Sequence, residues 1–366
     1  MKTPKLKDNE ITDNMFNDIC FKLTEALNAI AVFQRRFHPV ETGRLREDLI
    51  PVSVSLKQIM LEIDKPNANH ELIEPLNVVN ETLSLIINSL ETIIEAPVDD
   101  FRQTVIQVMR SFRKICKANE KLYPIRMISP YLNRFFLEPG AYERPEILNQ
   151  KQNTGVLTGL NHFGAEDNEY ERGSMTIYVP EWYDDKIKWP VVMALHGGNG
   201  NGRDFVWTWL REARSRGFIL VAPTSKDQTW SIMDPKIDGT SLISAIDFLK
   251  KHYNFNMKSI LLTGISDGGT FAMMLSLKPT SPFTAFAPVA GVLPPLNLDT
   301  VKGKRIYWAH GALDWMFPVI IARRASEALK MAGADVTLRV IDDLSHTYPR
   351  EENDAILKWF DPSLAL

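Results

Sequence analysis

The stretch Ser259-Ile260-Leu261-Leu262-Thr263-Gly264-Ile265-Ser266-Asp267-Gly268-Gly269 decides the fold. Its apolar start reads as a strand buried on both faces. It runs into G-x-S-x-G, and a helical pattern begins at Thr270. A serine at such a strand-to-helix turn must sit on a sharp, strained bend to raise its hydroxyl above the sheet. Glycines two before and two after it remove side chains that would collide there. The start of the following helix aims backbone N–H groups at the same point. Ser266 is therefore the candidate nucleophile. The five-residue pattern alone would also fit a glycine-rich turn capped by a serine, so the flanking elements carry the reading.

Outward from this turn, strands are predicted at 173–179, 189–195, 218–222, 259–264, 285–289, 305–309 and 336–341. Helical patterns fall between them at 204–215, 240–252, 270–277, 319–331 and 351–360. Strand alternating with helix predicts an α/β fold, a mostly parallel sheet flanked by helices on both faces. In such sheets the active site lies at the carboxyl ends of the strands.

The strand Trp189-Pro190-Val191-Val192-Met193-Ala194-Leu195 ends in His196-Gly197-Gly198-Asn199-Gly200-Asn201-Gly202. A loop of small residues lets backbone amides approach a ligand closely. The N–H of Gly198 and that of Asp267, the residue after the nucleophile, are the candidate oxyanion-hole donors, with Asn199 the alternative to Gly198. A phosphate cradle is disfavoured, because the loop lacks the G-K-[ST] ending. His196 is read as bracing this loop. Downstream, Asp314 follows the strand at 305–309 and His346 follows the one at 336–341. An Asp there can accept the Nδ1–H of a histidine and hold its tautomer. His310 is the rival histidine, but it precedes the acid; Asp342 and Asp343 are rival acids too close in sequence to His346. The catalytic set is therefore Ser266, Asp314 and His346. Trp207 lies just after the oxyanion loop, Trp230 and Trp315 follow strand ends on the same rim, and all three are candidates for an apolar substrate pocket, or else core residues.

The segments Leu195-His196-Gly197-Gly198, Gly264-Ile265-Ser266-Asp267-Gly268, His310-Gly311-Ala312-Leu313-Asp314 and Ser345-His346 together resemble the phospholipase/carboxylesterase branch of the α/β-hydrolases. The resemblance covers a little over half the chain. It implies an eight-stranded sheet, no cofactor and hydrolysis of small-molecule carboxylic esters. A thioesterase or a prolyl-oligopeptidase-like peptidase would share the same triad, and a scaffold with a decayed site is a further alternative.

The first part of the chain has another period. Ile11, Met15, Ile19, Leu23, Leu27 and Ile30 recur three or four apart. Leu72, Leu76, Val79, Leu83, Ile86, Leu90 and Ile94 do the same, as do Phe101, Val105, Val108, Phe112 and Ile115. A fourth helix is expected over 42–63, less cleanly patterned and containing Pro51. Prolines at 39, 66 and 97 mark the breaks. The expected organisation is an all-α bundle at 1–120, an ordered connecting segment at 121–155 and a catalytic domain at 156–366. The compact esterases that the second half resembles lack such an extension. Two roles are open for it: a homo-oligomer interface, or a lid over the catalytic rim.

The 366 residues are 45% hydrophobic and 24% charged, with a formal charge of -3. That balance gives no reason to expect nucleic acid as a partner. Cys20 and Cys116 have no metal-like spacing and read as buried, reduced thiols. No run of about 20 apolar residues predicts a membrane span, and residues 1–5 open on charges rather than an apolar leader. The expected compartment is the cytoplasm.

Overall fold

The structure is a computed structural model that describes residues 10–63, 67–68, 70–148, 155–165 and 168–366. It divides into two compact units, Met1–Phe136 and Leu137–Leu366.

The first unit is built on helices α1 (Asp13–Arg36), α2 (Ile50–Ile63), α3 (Ile73–Ile94) and α4 (Phe101–Leu122). The apolar repeats of α1 and α3 face inward. Leu23, Leu27 and Ile30 are buried, as are Leu76, Val79, Leu83, Ile86 and Leu90. Each such side chain contributes about 1.5–3 kcal/mol on burial. Asp100 caps α4, its Oδ1 accepting the Gln103 N–H at 3.0 Å. Helices α3 and α4 run antiparallel. Lys121 pairs with Glu81 at 2.6 Å, Lys114 donates to the Asn88 carbonyl at 3.1 Å, and Ser89 donates to the Ser111 carbonyl at 3.0 Å.

Two expectations for this unit need correction. The helix expected over 42–63 is a short helix Thr42–Leu45, a 3-10 turn Arg46–Leu49 and then α2. Pro51 lies in the first turn of α2, where its missing N–H costs no helical hydrogen bond. Beside its helices the unit carries one short pairing, Glu10–Ile11 parallel to Asn67–Ala68. Finally, Cys20 is buried, and burial pushes its thiol up to about 12, but Cys116 is only half-buried.

The expected connecting segment is divided between the units. Tyr123 packs edge-on against Phe136 in the first unit, with centroids 5.2 Å apart. Leu137, Ala141 and Ile147 form a small apolar cluster with Tyr142 and Trp182 in the second. Aromatic and aliphatic side chains thus anchor this stretch from Tyr123 to Ile147.

The second unit holds one eight-stranded sheet. Its strands are β1 (Gly159–Phe163), β2 (Met175–Val179), β3 (Trp189–Leu195), β4 (Ile219–Pro223), β5 (Phe255–Ile265), β6 (Ala285–Val289), β7 (Arg305–Gly311) and β8 (Asp335–Ile341). Their spatial order is β1-β2-β4-β3-β5-β6-β7-β8. Strand β2 pairs antiparallel with both neighbours; every other pairing is parallel. Central strands are buried along nearly their whole length, which explains their unbroken apolar runs. Edge strand β8 alternates, with Thr337 and Arg339 outward. Strand β1 is half-buried throughout and has no such alternation, so it carried no strand signal.

The chain leaves β3 toward β4 on one side and leaves β5 toward β6 on the other. The loops after β3 and β5 therefore diverge, and a crevice opens between them at the carboxyl ends of the strands.

Candidate active site

Strand β5 delivers Ser266 into that crevice. Ser266 has φ 56° and ψ -118°, a strained conformation for a residue with a side chain. Its N–H donates to the Val289 carbonyl at 2.9 Å, and its carbonyl accepts the Thr270 N–H at 2.8 Å as helix α5 (Asp267–Ser276) begins. The bend is tight enough to need its glycines. A side-chain carbon on Gly264 would lie 2.7 Å from the Gly268 carbonyl carbon and 2.8 Å from Leu195 Cβ.

The loop after β8 places His346 against this serine. Ser266 Oγ–H donates to His346 Nε2 at 3.0 Å, and His346 Nδ1–H donates to Asp314 Oδ2 at 2.9 Å. These partners assign the tautomer of a neutral ring. The other carboxylate oxygen of Asp314 accepts the N–H groups of Met316 at 2.9 Å and Phe317 at 2.7 Å. Burial pushes the Asp314 carboxyl upward, but the His346 hydrogen bond, the attraction of that imidazole whenever it is protonated and the two backbone donors outweigh it. The net shift is below the ordinary 3.8. The His346 loop is anchored two residues on. Tyr348 is buried, its hydroxyl donates to Asn353 Oδ1 at 2.9 Å, and Phe205 and Trp209 pack edge-on against its ring.

The rivals have other places. His310 is buried, and its Nε2–H donates to the Phe317 carbonyl at 2.8 Å. Asp342 and Asp343 are exposed.

The loop after β3 is held by His196, which is buried. Its Nδ1–H donates to the Gly197 carbonyl at 2.6 Å, and its Nε2 accepts the Ser225 N–H at 3.1 Å. Burial drives its pKa down to about 4, so the ring is neutral near pH 7. Trp230 donates from Nε1 to the His196 carbonyl at 2.8 Å and lies against its ring, with centroids 4.8 Å apart. The Asn199 N–H is committed to the Gln228 carbonyl at 2.8 Å. That leaves the Gly198 N–H as the stronger candidate donor from this loop. A side-chain carbon on Gly198 would lie 2.7 Å from Asp267 Oδ2, so the two candidate donor residues adjoin.

Among the aromatic candidates, Trp315 lies against the His346 ring. It is half-buried and meets the His346 ring edge-on at 5.8 Å; Phe317 does so at 5.3 Å. Trp230 is buried and stacked on Phe271 at 5.5 Å, so it braces the core instead of lining a pocket. Trp207 is buried in the turn Val206–Thr208. Thr229, which donates to Asp267 Oδ2 at 2.6 Å, had no signal in the sequence. The segment 225–239 is pinned down. The buried Asp238 accepts the N–H groups of Lys226 and Ser231 at 2.8 and 2.7 Å.

Among the described residues, no group of three or more His, Cys, Asp or Glu could hold a metal ion, and no helix is long and apolar enough to cross a membrane.

No protein-family model matches the chain. A curated relative, the bifunctional acetylxylan esterase/xylanase XynS20E of Neocallimastix patriciarum, is 32% identical over 132 residues. That match covers 34% of this chain and 19% of the relative, so the chain spans about a fifth of its length. Similar solved structures include a thermostable esterase and the Bacillus cereus carboxylesterase. The first is 21% identical, covers 51% of this chain and 58% of its own, and has a TM-score of 0.44. The second is 18% identical, covers 52% and 93%, and has a TM-score of 0.42. The fold assignment rests on the chain's own topology. A sheet of order 1-2-4-3-5-6-7-8 with only the second strand reversed, and a strained serine after its fifth strand, is the α/β-hydrolase fold.

Proposed function

We propose that the second unit is a serine carboxylesterase acting on small to medium esters. The observation that carries this reading is the unbroken relay from Ser266 Oγ through the His346 ring to Asp314 Oδ2. Ser266 attacks the ester carbonyl while His346 takes its proton, and Asp314 stabilises the imidazolium. The N–H groups of Gly198 and Asp267 hold the oxyanion. His346 then returns the proton to the departing alkoxide, leaving an acyl-serine. Water activated by His346 attacks that acyl group, releases the acid and restores the Ser266 hydroxyl.

The test is Ser266→Ala assayed on aryl acetates and butyrates. We expect at least a 10³-fold fall in kcat, as for loss of a triad nucleophile, with no fluorophosphonate adduct on the variant. Turnover equal to that of the unaltered enzyme would overturn the assignment.

The match to the acetylxylan esterase/xylanase favours a second, narrower reading, that the acyl group is acetyl carried on a polysaccharide. Acetate release from acetylated xylan, compared with release from an aryl acetate, tests it. Absence of acetate from the polymer at full activity on the aryl ester would remove the narrower reading alone.

A further inference from the structure

The two candidate oxyanion donors belong to different segments. Gly198 is on the loop after β3, and Asp267 opens helix α5. A tetrahedral oxyanion needs both N–H groups at hydrogen-bond distance from one point, so the spacing between these segments matters to the reaction. A third segment spans them. The Gln228 carbonyl accepts the Asn199 N–H at 2.8 Å, and Thr229 Oγ1–H donates to Asp267 Oδ2 at 2.6 Å. Trp230 donates to the His196 carbonyl at 2.8 Å. Three consecutive residues thus grip the loop on either side of Gly198 and the residue after the nucleophile. The contact is close: a side-chain carbon at Gly198 would lie 2.7 Å from Asp267 Oδ2 and 3.9 Å from Thr229 Oγ1.

We propose that Thr229 is a positioning residue of the oxyanion hole, acting through the Asp267 carboxylate to hold the Asp267 N–H in register with that of Gly198. This rests on the esterase reading above. The Thr229 hydroxyl fixes the orientation of Asp267 at the first residue of α5, where the backbone N–H has no partner within the helix. The carboxylate, held by Thr229, also stays against Gly198. Thr229 itself touches no reacting atom in this mechanism.

Thr229→Val keeps the shape and removes the hydroxyl. It is expected to lower kcat on aryl acetates about tenfold, less than the 10²–10³ lost with a whole donor, while KM stays within twofold. Affinity for an aryl trifluoromethyl ketone, whose serine adduct carries the oxyanion, falls by a similar factor. Thr229→Ser restores both. In a double-mutant cycle, Thr229→Val adds no loss to Asp267→Ala. A Thr229→Val enzyme with unaltered kcat and ketone affinity would overturn the proposal. So would a loss that Thr229→Ser does not repair, or one that multiplies with Asp267→Ala. If the unaltered protein neither cleaves the esters nor binds the ketone, the esterase reading itself fails, which is a separate result.

Discussion

His310 Nε2 lies 3.5 Å from the Asp314 oxygen that accepts the His346 hydrogen bond. Two imidazoles therefore approach one carboxylate, and only one of them continues to the serine. The Nε2–H of His310 is directed at the Phe317 carbonyl at the shorter distance of 2.8 Å, and burial holds its pKa below the ordinary 6.5. It is a neutral ring that steadies the turn whose N–H groups of Met316 and Phe317 hold Asp314.

The prediction is a contrast between the two histidines. His346→Ala is expected to lower kcat at least 10³-fold. His310→Gln, which retains a donor for the Phe317 carbonyl, is expected to cost less than about tenfold. Steady-state kinetics on an aryl acetate decide it, and equal losses would reverse the assignment of roles.

Gly198→Ala tests the oxyanion loop. The added methyl would meet Asp267 Oδ2 at 2.7 Å, and Thr229 restrains that carboxylate from yielding. The expected outcome is a fall in kcat of about 10–100-fold, short of or equal to the loss of one donor, with KM little changed. A rise in KM at constant kcat would instead place Gly198 in ground-state binding.

Much of this site was legible because its chemistry forces local sequence. The Ser266 bend excludes side chains at Gly264 and Gly268, so the candidate nucleophile is marked by its glycine spacing. The buried strands β3, β6 and β7 were visible as apolar runs, and they fixed where Asp314 had to stand. Strand β1 was not visible, since a half-buried edge strand needs neither an apolar run nor alternation. The split of 42–63 was hidden because local 3-10 turns differ from a helix by a single hydrogen-bond register. Trp230 and Thr229 illustrate a third limit. Trp230 sits near strand ends in sequence, yet its indole N–H is spent on the His196 carbonyl. Thr229 is an ordinary loop residue whose partner, Asp267, stands 38 positions away. Pairings between loops leave no periodicity to read.

His196 gives a prediction in pH. Its folded pKa is depressed to about 4 from 6.5 by burial. Between those values the unfolded chain binds a proton that the folded ring refuses. Stability from this residue is therefore full above about pH 6.5 and is lost as pH falls toward 4. Between pH 7 and pH 5 the loss is about 2 kcal/mol, at about 1.4 kcal/mol for each unit of divergence. Urea unfolding of the intact protein at both pH values measures it. His196→Gln, which cannot titrate, is expected to shrink the difference by that amount; an unchanged difference would assign the acid sensitivity to other groups.

The last prediction concerns the leaving group. In the proposed mechanism His346 Nε2 hands its proton to the departing alkoxide, so that alkoxide must pass close to the imidazole. Trp315 and Phe317 both meet that ring edge-on, at 5.8 and 5.3 Å, and both are half-buried. An apolar alcohol portion would gain contact with their remaining surface, at about 25 cal/mol for each Å² covered. A methyl ester is too small to gain much. Trp315→Ala is therefore expected to raise KM for benzyl or naphthyl acetate about five- to tenfold while changing it less than twofold for methyl acetate. The kcat values should stay within a few-fold, because the Ser266–His346–Asp314 hydrogen bonds do not involve the indole. An equal rise for both esters would place Trp315 on the acyl side. A large fall in kcat without discrimination would mean that the indole holds the His346 ring in place.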